Sequence, residues 1–262
     1  MKLLLGCDPE LFLWDKTKGS YISAEGIVPG TKEEPRRLKD GAVQRDGTAL
    51  EFNIEPSASA TAFSDCVSNV LNQCQELVGK DIELRAEPAI LFDEEYYATL
   101  SENSKQLGCD PDYSAYTGTV NPRPSPIHRM HTGAGHLHLG WTNNADSHGH
   151  EHMYDCQQMV QRLDAYFDIF KNKWDTDIQR SRLYGARGAY RPKHYGVEYR
   201  VPSNAWVKHP KLWPWIFDSC KFVFDHAVEG KTYNWIAATG ISPDDMTVKA
   251  RFGTDKYPAY PL

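Results

Sequence analysis

Strict two-residue alternation over short segments is the feature that most limits what this chain can fold into. In ALEFNIEP (Ala49 to Pro56), Leu50, Phe52 and Ile54 share one face of a strand while Glu51, Asn53 and Glu55 share the other, because strand side chains repeat every two residues. GHLHLGW (135–141) sets Leu137 and Leu139 against His136 and His138, and GVEYRVP (196–202) sets Val197, Tyr199 and Val201 against Glu198 and Arg200. In GCDPELFLWD (6–15), Asp8 and Glu10 are likewise two apart, with Pro9 marking an edge or a bulge because proline donates no ladder hydrogen bond. For any one of these strands a solvent-wetted polar face is the simpler explanation. The four together are unusual, since their second faces carry carboxylate and imidazole where Lys, Thr, Ser and Gln are ordinary.

Helical spacing of apolar residues predicts helices over 61–79, with Phe63, Val67, Val70, Leu71, Cys74, Leu77 and Val78 inward and Gly79 as the stop. A second is predicted from about Glu151 to Trp174, with Met153, Cys156, Val160, Leu163, Phe167 and Phe170 inward, and a third near 210–229, closing at Gly230. Asp-Gly pairs at 40–41 and 46–47 mark hairpins. The order strands, helix, strands, helix, strand, helix gives the α+β class with a mostly antiparallel sheet, in a single domain spanning 1–262. The stretch from Ser101 to Arg129 has no period and is rich in Pro, Gly, Ser and Tyr, which suits an ordered loop facing a ligand.

A hydrophobic fraction of 40% with 24% charged residues is that of a folded globular chain. Apolar runs fall far short of a membrane span, and the three leucines of MKLLLGCDPE are too few for a secretory core, so they read as a first strand. Six cysteines without a C-x-x-C pair fit a reduced, cytoplasmic protein. A net charge of -6 argues against direct nucleic-acid binding. One window departs from it: Arg180, Arg182, Arg187, Arg191, Lys193 and Arg200 stand against a single acid, Glu198, and this suits either a polyphosphate or a solvated loop. No Walker loop, dinucleotide fingerprint or nucleophile elbow is present, and HGHEH (148–152) reads as a polar loop before the second helix.

If the four strands are neighbours, Asp8, Glu10, Glu51, Glu55, His136, His138, Glu198 and Arg200 meet on one surface. Clustered carboxylates repel unless a cation neutralises them, so the constellation calls for a divalent ion. Oxygen-dominated ligands with an imidazole suit Mg²⁺ or Mn²⁺, and the basic window then points to a nucleotide.

These segments resemble the glutamine synthetase-like carboxylate–amine ligases. GCDPELFLWD is similar to the family's G-x-E-x-E-F-F-x-F-D, LEFNIEP to W-E-F-Q-I-G-P, GAGHLHLG to G-x-G-x-H-x-H with one residue missing, and GVEYRVPSNAW to E-x-R-x-P-x-x-x-N. With GCDPDYSAYTG (108–118) and YGARGAYRPK (184–193), the chain looks most like phage-encoded type 2 amidoligases. The resemblance implies a curved, mostly antiparallel sheet with helices on its outer face, and ATP-dependent amide formation in the cytoplasm, a host's if the gene is a phage's. It implies Asp8, Glu10, Glu51, His136 and Glu198 as metal ligands, His138, Arg191, Lys193 and Arg200 on ATP, and Arg191 and Arg200 on the transferred phosphoryl group. Glu55 or Asp46 would take the amine's proton. Family members carry a further glutamate where this chain has Gln44; Asp46 is the candidate substitute, which leaves the number of metals open. The substrates would be a small-molecule or peptide carboxylate and an amine. A metal-dependent hydrolase and a non-catalytic metal-stabilised binding protein are the competing expectations, and the segment 207–262 carries no motif.

Overall fold

The computed structural model describes residues 1–105, 112–123, 125, 127–233, 248–254 and 256–262. The first strands are β1 (Leu4–Cys7), β2 (Glu10–Asp15), β3 (Ser20–Ile22), β4 (Arg36–Leu38), β5 (Gly41–Asp46) and β6 (Ala49–Ile54), followed by helix α1 (Ala60–Val78). After it come β7 (Ile82–Arg85), β8 (Ala89–Leu91), α2 (Glu94–Thr99), α3 (Glu102–Lys105), β9 (Tyr113–Ser114), β10 (Met130–Thr132) and β11 (Leu137–Gly140). The last part holds α4 (His150–Phe167), α5 (Lys171–Trp174), α6 (Ile178–Leu183), β12 (Ala189–Lys193), β13 (Gly196–Tyr199), a 3₁₀ turn over Asn204–Lys208, α7 (Leu212–Val228) and α8 (Val248–Phe252).

The fold is α+β, built on antiparallel sheets that do not close into a barrel. One sheet runs β1-β11-β13-β12-β9, another β3-β2-β6-β5-β4 with β7 added on β2, and β8 pairs β10. Two prolines mark the line where the large sheets meet. β1 stops at Cys7 and β2 starts at Glu10, so Asp8 and Pro9 form the joint between sheets and the single strand expected over 6–15 is two. Pro9 has no N–H to extend either ladder. Across the joint, Ser57 exchanges backbone hydrogen bonds with Leu5 just after Pro56, at 2.9 and 2.8 Å.

The helices lie behind the sheets. Helix α1 packs its buried Phe63, Val67, Val70 and Cys74 on β5 and β6, α4 backs β12 and β13, and α7 touches both helices. Ser59 caps α1 by accepting from the Ala62 N–H, and Gly79 ends it at φ 84°, a left-handed conformation that favours glycine. Leu77, expected inward, is exposed.

The helix expected to run to Trp174 breaks after Phe167. Ile169 and Phe170 bond back only three residues, tightening the turn, and Phe170 and Trp174 join an aromatic cluster with Phe167, Trp215 and Tyr260. Residues 256–262, without motif, thus cover the helical layer: Tyr260 stacks on Phe170 at 5.6 Å, and Pro258 O accepts from Tyr166 and Trp215. HGHEH is split: His150 begins α4, and His152 Nε2 meets the carbonyls of Lys193 and Gly196 at 2.8 and 3.2 Å. Among the described residues no helix is long and apolar enough to cross a membrane. Five cysteines are free thiols, and Cys109 lies outside the described residues.

Candidate active site

Cross-strand register brings the polar faces together. On the six-stranded sheet Glu51 is paired with Glu10 on one side and Gln44 on the other. On the five-stranded sheet Glu198 is paired with His138 and with Arg191. Residues opposite one another in antiparallel strands point to the same face, so each sheet offers one row of ligands, and Asp8 at the joint sits between the rows.

The row on the five-stranded sheet is built around Asp8 and Glu198. Asp8, His138 and Glu198 each offer a ligand atom, the three lying within 4.8 Å of one another. His136 Nδ1 stands 3.3 Å from Asp8 and 3.5 Å from Glu198, and His138 Nε2 stands 3.0 Å from Asp8. Asp8 Oδ1 and His138 Nε2 are buried and make no hydrogen bond of good geometry. Buried acceptor atoms without a hydrogen-bond partner are atoms that a bound cation can satisfy. Burial alone would push the Asp8 carboxyl up, but His138 and His136 override it and hold it well below the usual carboxylate range. Burial lowers His136, helped by Arg200; for His138 the pull of Asp8 outweighs burial and raises it.

Three cations close on the buried Glu198. Lys193 Nζ lies 2.8 Å from it, Arg191 Nη1 lies 3.4 Å away, and Arg200 Nη1 donates to its other oxygen. Arg200 also donates to the Tyr184 hydroxyl, and its Nε meets Asp112 at 3.2 Å. Asp112 comes from the stretch between Ser101 and Arg129, so that loop does touch the site; residues 106–111 of it lie outside the described residues.

The row on the six-stranded sheet is acidic. Glu10, Asp46 and Glu51 also place one ligand atom each within 4.8 Å of the others. Gln44 donates to Glu51 at 2.7 Å, the Ala134 N–H donates to Glu10 at 2.9 Å, and Lys32 Nζ lies 2.8 Å from Asp46. Burial, then the neighbouring Asp46, raise Glu10 to about 7, and burial with Asp8 and Asp46 raises Glu51 well above its ordinary value. Crowded carboxylates of this kind fit a hard divalent cation, and the donor set of carboxylate oxygens with imidazole fits Mg²⁺ or Mn²⁺.

Both rows face one cavity of about 250 Å³, whose wall includes Lys32, Thr132, Tyr184, Arg191, Lys193 and Arg200. A second cavity of about 600 Å³ adjoins it, sharing Asp8 and Glu51, and is lined by Leu4, Ile54, Pro56, Trp141, Asn143 and Tyr195 among others. Tyr195 at its edge bonds the ring of His138 through its hydroxyl.

Of the residues read as functional from sequence, Asp8, Glu10, Glu51, His136, Glu198, Arg191, Lys193 and Arg200 line the smaller cavity, and His138 lines the larger. His138, expected on the phosphate side, falls in the same ligand group as Asp8 and Glu198. Glu55 is a correction: β6 ends at Ile54, and the Glu55 carboxylate is exposed, 3.4 Å from Arg37 and outside both cavities. The strand breaks before Pro56, so the two-residue alternation no longer sets the direction of Glu55.

The basic window divides in the same way. Arg180 is buried and donates to the carbonyls of Gly133, Val201 and Pro202, and Arg187 pairs with Asp168 at 3.2 Å. Lys32 and Thr132 had no signal in the sequence, and Tyr184 entered only as the first residue of YGARGAYRPK, with no role given to it. A tyrosine seven residues before Arg191 on an irregular turn follows no period, and Lys32 reaches the site from a loop. Compared with known proteins, the chain matches no family model and no curated protein sequence.

Proposed function

We propose that this protein is an ATP-dependent carboxylate–amine ligase, with a catalytic domain of the glutamine synthetase-like kind and similar in type to the phage-encoded type 2 amidoligases. The observation that carries the reading is the meeting of two three-ligand clusters, Asp8 with His138 and Glu198, and Glu10 with Asp46 and Glu51, at a cavity that Arg191, Lys193 and Arg200 also line. Acids that hold cations, beside bases that hold anions, form the environment of a metal polyphosphate.

In this reading Asp8, His138 and Glu198 would hold one divalent cation, with His136 beside them, and Glu10, Asp46 and Glu51 a second. Such cations supply neutralisation of the phosphate charge. The smaller cavity takes the phosphates and the larger, more apolar one the nucleoside, with Trp141 and Tyr195 as aromatic walls. The substrate carboxylate attacks the γ-phosphorus, ADP leaves, and an acyl phosphate forms; the amine then displaces inorganic phosphate, leaving the amide. Arg191, Lys193 and Arg200 hold the equatorial oxygens as charge shifts on them. Tyr184 and Asp112 fix the Arg200 guanidinium from two sides. Of the two acids considered for the amine's proton, Asp46 lines the cavity and Glu55 does not.

The test is ADP release with Mg²⁺ across a panel of amino acids, peptides and amines. Glu51→Gln and Glu198→Gln are each expected to lower turnover by at least about 10³-fold, the scale on which loss of transition-state charge stabilisation acts. ADP formation retained in both variants would remove the site. Turnover of an amide or ester without ATP would instead support the hydrolase, and a melting temperature raised by metal with no product from any substrate pair would support the binding protein.

A further inference from the structure

We propose that Lys32 is a built-in counter-ion for the acidic row, which the second divalent cation must displace to bind. The proposal rests on the cation-site reading above and adds that a divalent ion is held by the Glu10, Asp46 and Glu51 cluster only as Lys32 withdraws from it.

The two rows hold lysines of different kinds. Lys193 lies on β12, inside a ladder, and meets Glu198 from a fixed backbone. Lys32 lies in the irregular stretch between β3 and β4, where residues 31–34 are all exposed. That turn closes on itself, Thr31 N–H donating to Glu34 O at 3.1 Å and Glu34 N–H to the Thr31 hydroxyl at 3.2 Å. It hangs from Gly30, whose φ is +86° and where an added Cβ would stand 2.7 Å from Arg36 N and Val43 O, so only glycine fits the close approach to β4 and β5. The anchor is tight and the tip is not. From the tip the Lys32 side chain, still 43% exposed, extends over the cavity wall to Asp46.

An ammonium beside three carboxylates relieves their repulsion, but it carries one charge and arrives on a flexible stem with a solvated escape route. A divalent ion carries two charges and can be held by all three acids. The two therefore compete for the same oxygens, and the affinity measured for the second cation is its intrinsic affinity lowered by the work of moving Lys32. Lys32 departs on its stem while the backbone of the row stays in its ladder.

The experiment uses the full chain without nucleotide. Mn²⁺ binding is followed by electron paramagnetic resonance for the parent, Lys32→Met and Lys32→Arg. Two classes of site are expected in the parent, the acidic row being the class that Glu51→Gln weakens, and Lys32→Met is expected to tighten that class by about tenfold or more, since one charge a few ångströms away matters on that scale near a protein surface. Lys32→Arg should stay near the parent. In parallel, acetic anhydride modification of Lys32, read by mass spectrometry, should rise about threefold or more when Mn²⁺ saturates that class, by simple release of the ammonium from its carboxylate partners. Equal Mn²⁺ affinity in the parent and Lys32→Met, with Lys32 modification unchanged by Mn²⁺, overturns the role of Lys32 and leaves the cation sites standing. No Mn²⁺ bound by either protein overturns the cation-site reading, and this one with it. Unchanged melting of Lys32→Met at saturating Mn²⁺ shows that the variant folds.

Discussion

The two walls of the cavity carry acids in opposite electrostatic states. On the five-stranded sheet Glu198 is buried among Lys193, Arg191 and Arg200, and Asp8 is held by two imidazoles. On the six-stranded sheet three acids share Lys32, and burial raises two of them. The first wall is stable as it stands and the second is stable only with further positive charge. The same residue type, glutamate on an inward strand face, therefore supports the fold on one side and strains it on the other.

The sharpest way to break this comparison is a pair of isosteric substitutions measured for stability without divalent ions. Glu198→Gln removes the common partner of three cations, one of them fully buried, and is expected to cost about 3 kcal/mol, the scale for breaking a buried ion pair. Glu51→Gln removes one of three repelling acids while its carbonyl still accepts from Gln44, and is expected to stabilise by about 1 kcal/mol. Chemical denaturation at pH 8 checks both. Shifts of the same sign would mean that the walls do not differ. Both variants are expected to lose turnover, so the pair also separates the needs of the fold from those of the site.

A slightly smaller effect is the pH dependence. Glu10 is raised to about 7 in the folded state, so the folded protein keeps a proton that the unfolded chain releases in the ordinary carboxylate range. Stability without metal should therefore fall as pH rises from about 4.5 to about 7, by on the order of 2 kcal/mol, and Glu51 extends the fall in the same direction. Asp8 works the other way: it is held low, so its contribution is present above the ordinary range and is lost as pH falls below it. Added Mg²⁺ should flatten the fall between pH 4.5 and 7, because a cation replaces the proton as partner. A melting series with and without Mg²⁺ shows a slope only in its absence if the acidic wall is as described.

Much of this was legible in the chain, for one physical reason. Strand alternation is local, so Glu51, His136, His138, Glu198 and Arg200 declared their shared faces without knowledge of their neighbours. Asp8 and Glu10 were found through a false intermediate: they are two apart but on different strands, and they meet in the cavity because the joint at Pro9 turns the chain between sheets. What was not legible depends on contacts between distant elements. Lys32 comes from a loop with no period, Tyr184 from a turn, and the hydrogen bond that Gln44 donates to Glu51 appears only in the register. Arg180 failed in the opposite sense, because a basic residue that donates all its hydrogen bonds to buried carbonyls looks in sequence like one that meets a phosphate.

Behind the five-stranded sheet lies a buried acid that neither wall uses. Asp164 on α4 accepts from Tyr199 at 2.6 Å and from Tyr116 at 3.0 Å, tying the helix and the loop after β9 to the reverse face of β13. Burial, then the nearby Asp168, raise it to about 7. The folded state again binds the extra proton, so Asp164 lowers stability as pH climbs from the ordinary aspartate range to about 7. Asp164→Asn keeps an acceptor for the tyrosines and is expected to stabilise by about 1 kcal/mol above pH 7, with little change below pH 4. A gain that persists at low pH would mean that packing, and not charge, decides the effect.

The smallest expected effect bears on the one site residue that left the cavity. Glu55 and Glu51 are four apart on what reads as a single alternating strand, and pattern alone gives them equal standing. The ladder ends at Ile54, and Glu55 N–H bonds Asp40 O at 2.8 Å while its carboxylate turns outward to Arg37. Both side chains of that pair are well exposed, 61% for Glu55 and 81% for Arg37, and exposed pairs of this kind are worth a few tenths of a kcal/mol, screened further by salt. Glu55→Gln should therefore change stability by less than about 0.5 kcal/mol and leave Mn²⁺ binding and turnover within about twofold of the parent. A loss of turnover approaching that of Glu51→Gln, with melting unchanged, would mean that the end of β6 turns inward when substrate arrives. The boundary between fold-bearing and site-bearing acids would then lie past Pro56 instead of at Ile54.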